Sequence, residues 1–253
     1  MFATNNSGKS RESYLSKFTS LGFGSLGITA AHIFTSSQTA AAYLRRLDSA
    51  SFDRSLHSVY TIGESGLGAE LRAVGVRCVE ALHLFGGAHL SKAQLAAIRV
   101  DPQIRAVVIG IDEELTYTKI AYGVACLQRD DCLFISTNQD STLPTAGHTL
   151  PGAGSCVAML ATAAGRVPIN MGKPEVGMLD LAIAEHRLQR ERMLMVGDRL
   201  DTDIRFGING RVASLFVTDT GINSMKDVAA TGIVPTFAVG NVTQILSSKG
   251  KSD

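Results

Sequence analysis

Short runs rich in β-branched residues alternate with amphipathic segments along most of the 253 residues. The apolar runs predict strands, and the segments between them have the spacing of helices. This alternation is typical of an α/β fold with a largely parallel sheet. The predicted strands are 58–62, 105–110, 132–136, 192–196, 212–217 and 235–239. The predicted helices are 9–21, 38–47, 67–74, 117–127, 155–164, 175–186, 203–209 and 225–230.

One stretch breaks the pattern. Residues 137–154 read TNQDSTLPTAGHTLPGAG, which is long for a connection within a compact domain and rich in turn residues. We expect an irregular loop there, and loops of this length often carry function.

Composition narrows the class of protein. Hydrophobic residues make up 45% of the chain, and 24 basic residues nearly balance 23 acidic ones. The charges are scattered, so we expect no nucleic-acid partner and no membrane partner. The apolar stretches are too short to span a membrane and no leader segment is evident, which makes a cytoplasmic location the expectation. The four cysteines form no CxxC pair, and we expect reduced, mostly buried thiols.

The first residues resemble a nucleotide-binding loop. Ala3 to Ser10, ATNNSGKS, nearly match a P-loop, with Ala3 where glycine is usual. Such a loop must follow a buried strand, and only Met1 and Phe2 precede it, too few for a strand. A P-loop NTPase therefore stays a minor alternative, which loss of nucleotide binding in Lys9→Ala would test.

The strongest chemical signal lies near residue 200. An apolar strand, Met193 to Val196, runs into Gly-Asp-Arg-Leu-Asp-Thr-Asp and then a helix. Ligands of open α/β sheets bind at this end of the strands. Asp198 is well placed to bind Mg²⁺ as an oxygen ligand, and Asp203 could orient a lysine or a water molecule. Asp201 could simply cap the following helix.

A second signal is Gly172-Lys173-Pro174, which follows a short apolar run and opens a helix. By itself this tripeptide is weak, since a solvated surface lysine is the usual explanation. Together with the aspartate-rich turn some 25 residues downstream it becomes strong.

These motifs carry a resemblance to a known family. Thr4-Asn5-Asn6-Ser7, Gly172-Lys173-Pro174 and Gly197-Asp198 with Asp203 resemble the second, third and fourth motifs of haloacid dehalogenase (HAD) superfamily phosphatases. The chain is similar to the branch of 4-nitrophenylphosphatase, phosphoglycolate phosphatase and chronophin. The likeness continues through residues 35–37, 60–64, 106–110, 137–140, 151–154 and 165–166.

The resemblance implies a Rossmann-like HAD core domain with a large inserted α/β cap domain. We expect the core at residues 1–47 and 168–253 and the cap at 48–167. A homodimer through the cap is possible by the same resemblance. The implied reaction is hydrolysis of a small phosphorylated metabolite, such as 4-nitrophenyl phosphate or a phosphoglycolate-like ester, through an aspartyl-phosphate intermediate with Mg²⁺.

The resemblance also assigns roles to residues. Thr4 and Asn5 would hydrogen-bond the transferring phosphoryl group, and Asn6 would shape that loop together with Ser7. Leu143, beside Pro144 in a cap loop, would roof the site and read the leaving group. An apolar residue at position 143 looks more like phosphoglycolate phosphatase than pyridoxal phosphatase, which carries histidine there.

The third and fourth motifs supply the charged groups. Lys173 would neutralise charge on the phosphoryl oxygens, and Asp198 would hold Mg²⁺. Asp203 would support both of these groups.

One departure from the family pattern matters. The family uses a first motif, Asp-x-Asp-Gly, on the central strand of the core, and this sequence contains none. Its one Asp-x-Asp is Asp201-Thr202-Asp203, already assigned to the fourth motif. We therefore expect an N-terminally truncated core without its nucleophile strand, inactive as it stands. Asp198 alone should hold Mg²⁺ weakly, and two uncovered strand edges should make the core poorly stable.

Two explanations of this departure stay open. The chain could be a shortened version of an active phosphatase, in which case an in-frame Asp-x-Asp-Gly lies just upstream of the first codon. It could instead be a genuine non-catalytic product that binds phosphate or dimerises through its cap, in which case the native protein starts at Met1.

Overall fold

The computed structural model describes residues 1–87, 90–145, 147–220 and 222–247. Contacts between residues divide the chain into two compact units, Met1–Gly172 and Lys173–Asp253. Parallel strands and helices form both units, so the predicted α/β class is confirmed. None of the helices in these ranges is both long enough and apolar enough to cross a bilayer.

The first unit contains most of the strands. In chain order they are β1 (Phe2–Thr4), β2 (Ile33–Thr35), β3 (Ser58–Ile62), β4 (Arg77–Glu80), β5 (Ile104–Ile109), β6 (Leu133–Ser136), β7 (Thr142–Pro144), β8 (Thr149–Pro151) and β9 (Ile169–Asn170). The α-helices are α1 (Arg11–Phe18), α2 (Ser36–Arg46), α3 (Ser65–Ala73), α4 (Ala81–Phe85), α5 (Lys92–Ala96), α6 (Tyr117–Leu127) and α7 (Ala153–Ala164). Five strands form a parallel sheet in the order β4-β3-β5-β6-β9, β1 pairs in parallel with β2, and β7 and β8 form an antiparallel hairpin.

Strand β5 shows why this sheet forms. Val107 and Ile109 lie in one apolar cluster, with residues of α6 and α7, whereas Ala106 and Val108 lie in another, with residues of α2 and α3. All four side chains are fully buried. Helices thus cover both faces of the sheet, which is why β5 is an unbroken apolar run in the sequence.

The second unit is smaller and also consists of parallel strands and helices. Its elements are α8 (Gly177–His186), β10 (Leu194–Gly197), α9 (Arg205–Asn209), β11 (Ala213–Val217), α10 (Met225–Thr231), β12 (Phe237–Val239) and α11 (Gln244–Ser247). The strands are parallel and in the order β10-β11-β12. Phe216 of β11 packs in an apolar cluster with Leu200, Ile204, Val228 and Ile233.

Strand β10 lies at the edge of its sheet and is poorly covered. Leu194 is 45% exposed and Val196 is 40% exposed. An apolar strand of this kind is normally buried on both faces and paired on both edges. The sequence analysis predicted an uncovered strand edge in the core. That a missing central strand is the cause stays a prediction.

The strand that leads into the TNNS stretch includes residues of the motif itself, which the count of two preceding residues left out. β1 includes Thr4 itself, and Phe2, Ala3 and Thr4 lie opposite Ile33, Phe34 and Thr35. Pairing with a buried neighbour strand stabilises a three-residue strand that local sequence could not indicate. The irregular loop expected over 137–154 was also corrected, since it contains the β7–β8 hairpin and the start of α7.

The predicted division into core and cap stays a prediction. Along the chain, the first unit ends at Gly172 and the second begins at Lys173, close to residue 168, where we expected the chain to return to the core. Segment 1–47 groups with the first unit, and Ala40 and Leu44 of α2 pack in the cluster beneath β3 and β5.

The expectation for the cysteines is confirmed. Cys126, Cys132 and Cys156 are buried, Cys78 is half-buried, and all four are free thiols.

Candidate active site

The TNNS loop leaves the end of β1 and is tied down through Asn5. Asn5 is 6% exposed, and its carbonyl oxygen accepts hydrogen bonds from Ser36 Oγ at 2.6 Å and from Asn138 Nδ2 at 2.7 Å. Its side-chain Nδ2 donates to Asp140 Oδ1 at 3.0 Å. The loop is therefore joined to the segment that follows β6, more than 130 residues away in sequence.

Thr4 and Asn6 shape the rest of this loop locally. Thr4 Oγ1 accepts from the backbone N–H of Asn6 at 3.2 Å, and Asn6 Oδ1 accepts from the backbone N–H of Gly8 at 2.9 Å. Thr4 also hydrogen-bonds the hydroxyl of Tyr14; burial raises the pKa of Tyr14, and this hydrogen bond partly offsets the rise. The loop is thus held by its own side chains as it turns into α1.

The P-loop interpretation does not fit this geometry. A P-loop points consecutive backbone N–H groups at phosphate, whereas the N–H of Gly8 is bonded to Asn6. Ser10 caps α1 by accepting from the N–H of Ser13, and Lys9 is exposed. β1 leads into this loop, but the N–H of Gly8 is already bonded within the loop and does not face a phosphate.

Leu143 lies in the middle of β7, opposite Leu150 in β8. Its side chain is half-buried and Leu150 is 40% exposed. The hairpin presents an apolar pair in a segment that is otherwise polar. The role of Leu143 as a substrate contact stays a prediction.

In the second unit, Lys173 and Asp203 form a buried ion pair. Lys173 Nζ lies 2.6 Å from Asp203 Oδ1, and both side chains are 9% exposed. Asp203 Oδ2 accepts from the backbone N–H groups of Asp198 and Arg199, each at 3.3 Å. Asp203 therefore holds the lysine with one oxygen and the turn after β10 with the other.

Gly197 makes this arrangement possible. A Cβ atom at Gly197 would collide with the side chain of Asp203, so no other residue fits at the end of β10 without displacing that carboxylate. Asp203 lies in a π-helical turn, Leu200–Ile204, rather than in the first turn of the predicted helix 203–209. This wider turn lets the Asp203 side chain fold back towards β10.

Asp198 is half-buried directly after β10, and its carboxylate makes no ion pair within the described ranges. The neighbouring Asp201 is instead paired with Arg199 at 2.9 Å. Burial raises the pKa of Asp201, but hydrogen bonds and charge from Arg199 outweigh this effect and leave the pKa below its ordinary value. Asp201 does not cap the next helix, since that helix has no side-chain cap.

The donor set for a metal is small. Across the parts of the chain that the structure covers, no three His, Cys, Asp or Glu side chains form a group that could hold a metal ion. Mg²⁺ is often held by one or two carboxylates together with substrate phosphate oxygens. The unpaired Asp198 carboxylate supplies one carboxylate, which is the smallest number in that mode of binding.

Two residues that hydrogen-bond the TNNS loop were not singled out from the sequence. Asn138 and Asp140 belong to Thr137-Asn138-Gln139-Asp140, which contributed to the family likeness without a role. Their position in the sequence could have indicated them. This polar segment follows β6 at the carboxyl edge of a parallel sheet, where ligands of such sheets bind.

Comparison with known proteins decides the family. A haloacid dehalogenase-like hydrolase model matches residues 1–77, and a HAD-hydrolase-like model matches residues 170–245. The 4-nitrophenylphosphatase of Schizosaccharomyces pombe is 32% identical over 97% of this chain and 81% of its own length. The chain belongs to the haloacid dehalogenase-like hydrolase family.

Further relatives of this HAD protein confirm the predicted branch of phosphoric monoester hydrolases. Phosphoglycolate phosphatase 1A of Arabidopsis thaliana, a chloroplastic protein, is 38% identical over 98% of this chain and 67% of its own length. Chronophin of Mus musculus is 33% identical over 97% of this chain and 80% of its own length. The crystal structure of a hypothetical protein from Pyrococcus horikoshii OT3 superposes with a TM-score of 0.80 at 30% identity, over 98% of this chain and 85% of that one.

HAD phosphatases generally use a divalent metal ion. A glycerol phosphate phosphatase from Mycobacterium tuberculosis was solved in complex with calcium; it has a TM-score of 0.76 and 30% identity over 94% of this chain and 63% of its own.

Proposed function

We propose that this HAD chain is built to hydrolyse phosphate monoesters of small metabolites, with 4-nitrophenyl phosphate and phosphoglycolate-like esters as substrates. The observation that carries the proposal is the buried Lys173–Asp203 pair beside the unpaired Asp198 carboxylate. A buried cation held by a carboxylate, next to an oxygen ligand, suits the charge of a phosphoryl group and its metal ion. The names of the relatives support the same chemistry.

The proposal gives each residue a task. Lys173 neutralises negative charge on the phosphoryl oxygens, and Asp203 orients its ammonium group. Thr4 and Asn5 hydrogen-bond the phosphoryl group. Thr4 does so through its hydroxyl, and Asn5 also holds the loop in place.

Asn6 holds that loop in shape, and Leu143 contacts the leaving group. The metal ion would be Mg²⁺ held by Asp198, and when bound it supplies charge stabilisation at the phosphoryl oxygens.

The attacking carboxylate is not among these residues, because the 253-residue sequence contains no Asp-x-Asp-Gly. We therefore propose that the 253-residue chain by itself binds phosphate and does not hydrolyse its esters. The second candidate is a non-catalytic protein of this family that binds phosphate or dimerises through the cap. A cytoplasmic location and a homodimer remain predictions.

Two preparations test the proposal. The 253-residue chain is assayed with 4-nitrophenyl phosphate and Mg²⁺, and so is a fusion that adds a strand with the family's Asp-x-Asp-Gly motif before Met1. We expect no turnover by the first and turnover by the second. In the fusion, Lys173→Met should abolish turnover, whereas Lys226→Met, a change at an exposed lysine of α10, should not.

A binding measurement covers the case in which the fusion does not fold. Inorganic phosphate with Mg²⁺ is titrated into the 253-residue chain, and we expect binding that Lys173→Met removes. Turnover by the 253-residue chain would overturn the inactivity, and absence of phosphate binding would overturn the phosphate site.

A further inference from the structure

Asp140 joins two parts of the first unit that have separate tasks in the proposed function. Its side chain accepts a hydrogen bond from Asn5 in the TNNS loop at 3.0 Å. Its backbone carbonyl accepts from the N–H of Gly154 at 2.8 Å, at the point where the chain leaves the β7–β8 hairpin. The hairpin begins two residues after Asp140 and carries Leu143.

The two ends of the hairpin are packed tightly around Asp140. The N–H of Gly152 donates to the carbonyl of Ser141 at 2.9 Å, and Ser155 Oγ donates to the same oxygen at 3.0 Å. A Cβ atom at Gly152 would collide with the carbonyl oxygen of Asp140, and one at Gly154 would lie 2.5 Å from the carbonyl oxygen of Gln139. Such close backbone contact means that a shift of Asp140 must move both ends of the hairpin.

Asp140 is itself positioned through Asn138. The backbone N–H of Asp140 donates to Asn138 Oδ1 at 3.1 Å, and Asn138 Nδ2 donates to the carbonyl of Asn5 at 2.7 Å. Asn5 is thus bonded to this segment through its carbonyl and through its side chain. Asn5 and Asn138 are both buried, so these polar atoms cannot exchange their partners for water at little cost.

We propose that Asp140 is a positioning residue that fixes the β7–β8 hairpin against the TNNS loop and so sets which leaving group Leu143 can contact. We call the contacts of Asp140 with Asn5 and with the hairpin backbone the clamp. The clamp is a claim about the structure of this chain, whereas its effect on leaving-group selection rests on the proposed function. Asp140 touches neither substrate nor metal in this proposal. It acts through Asn5 on one side and through the hairpin backbone on the other.

Amide hydrogen exchange tests the clamp without any need for activity. In Asp140→Ala the buried Asn5 amide loses its acceptor, and we expect peptides covering 141–155 to exchange about tenfold faster. Peptides covering β5 should be unchanged. Asp140→Asn keeps an acceptor oxygen of the same shape, so its exchange should stay close to that of the natural chain.

A reciprocal exchange of side chains makes the test specific. Asn5→Asp places two carboxylates together and should also speed exchange in 141–155. The double variant Asn5→Asp with Asp140→Asn restores one donor and one acceptor with their places exchanged, and it should recover the protection. Unchanged protection in Asp140→Ala, or no recovery in the double variant, would overturn the clamp.

Ligand binding then tests selectivity. The ratio of the affinities for 2-phosphoglycolate and inorganic phosphate should fall in Asp140→Ala. A loosened TNNS loop weakens the binding of both ligands, whereas only 2-phosphoglycolate also loses a contact with Leu143. An unchanged ratio with a loosened hairpin would overturn the role in selection and leave the clamp in place. A natural chain that binds neither ligand would instead refute the proposed function.

Discussion

Lys173 Nζ lies 2.6 Å from Asp203 Oδ1, with both side chains 9% exposed. Two buried charges stabilise a fold only as a pair, because each has lost its contact with water. Asp203 also receives the N–H groups of Asp198 and Arg199, so the pair holds the turn after β10 as well as the lysine. This relationship links the stability of the second unit to its proposed chemistry.

The pair predicts a large effect of Lys173→Met on stability. The substitution keeps the apolar stem but leaves the Asp203 carboxylate buried without its cation, and we expect the free energy of unfolding to fall by about 3–5 kcal/mol. Urea unfolding followed by circular dichroism measures it. Lys226→Met, at an exposed lysine of α10, should stay within about 0.5 kcal/mol of the natural chain. Equal midpoints for the two variants would contradict a stabilising pair.

Metal binding should depend on Asp198 and should be weak. With one unpaired carboxylate, we expect the 253-residue chain to bind Mg²⁺ with a dissociation constant on the order of millimolar. Asp198→Asn should remove the binding, as measured by calorimetric titration in the presence of inorganic phosphate. The matched control is Asp201→Asn, three residues away and paired with Arg199. Binding that survives Asp198→Asn would place the metal ligand elsewhere.

The exposed edge of β10 predicts that a charged substitution on this strand makes the protein more soluble. Val196 is 40% exposed on a strand that pairs on one side with β11, and charged residues on strand edges suppress edge-to-edge association. We expect Val196→Lys to lower light scattering on storage and to change the free energy of unfolding by about 0.5 kcal/mol or less.

The control for this variant is Val107→Lys in the fully buried β5, which should abolish folding. If Val196→Lys unfolds the protein in the same way, the edge of β10 is covered in solution.

The lowered pKa of His57 predicts that the folded protein becomes less stable in acid. Burial lowers the pKa of His57, the charge of Arg105 lowers it further, and Asp53 and Asp131 partly offset both effects. The backbone N–H of Asp53 donates to His57 Nδ1 at 2.9 Å, which requires that nitrogen to be unprotonated. The unfolded chain therefore takes up a proton at a higher pH than the folded chain. The contribution of His57 is present above its ordinary pKa of 6.5 and is lost as the pH falls through the lowered folded pKa.

His57→Gln should make the free energy of unfolding less dependent on pH between about 7 and 5. Urea unfolding at a series of pH values measures this slope. His83→Gln, at an exposed position of α4, is the matched control for the removal of a histidine. A slope that is the same in all three proteins would show that His57 titrates alike in the folded and unfolded states.

Local sequence was sufficient where an element carries its own periodicity. The strand at 58–62 and the helix at 117–127 were predicted to the residue. The strand is a short run rich in β-branched residues, and the helix has apolar residues at helical spacing. The short strands β1, β2 and β4 were missed, since three or four residues contain less than one useful period. Pairing with a neighbour, as between β1 and β2, decides such strands.

The sequence by itself determined the family motifs and therefore Lys173, Asp198 and Asp203, because their spacing around a strand end is a local property. Only the tertiary structure decided that Asp203 contacts Lys173 rather than water, that Gly197 leaves room for it, and that Asp140 holds Asn5. The physical reason is distance along the chain. Hydrogen bonds between residues 135 positions apart depend on how the sheet brings loops together, and no local pattern records them.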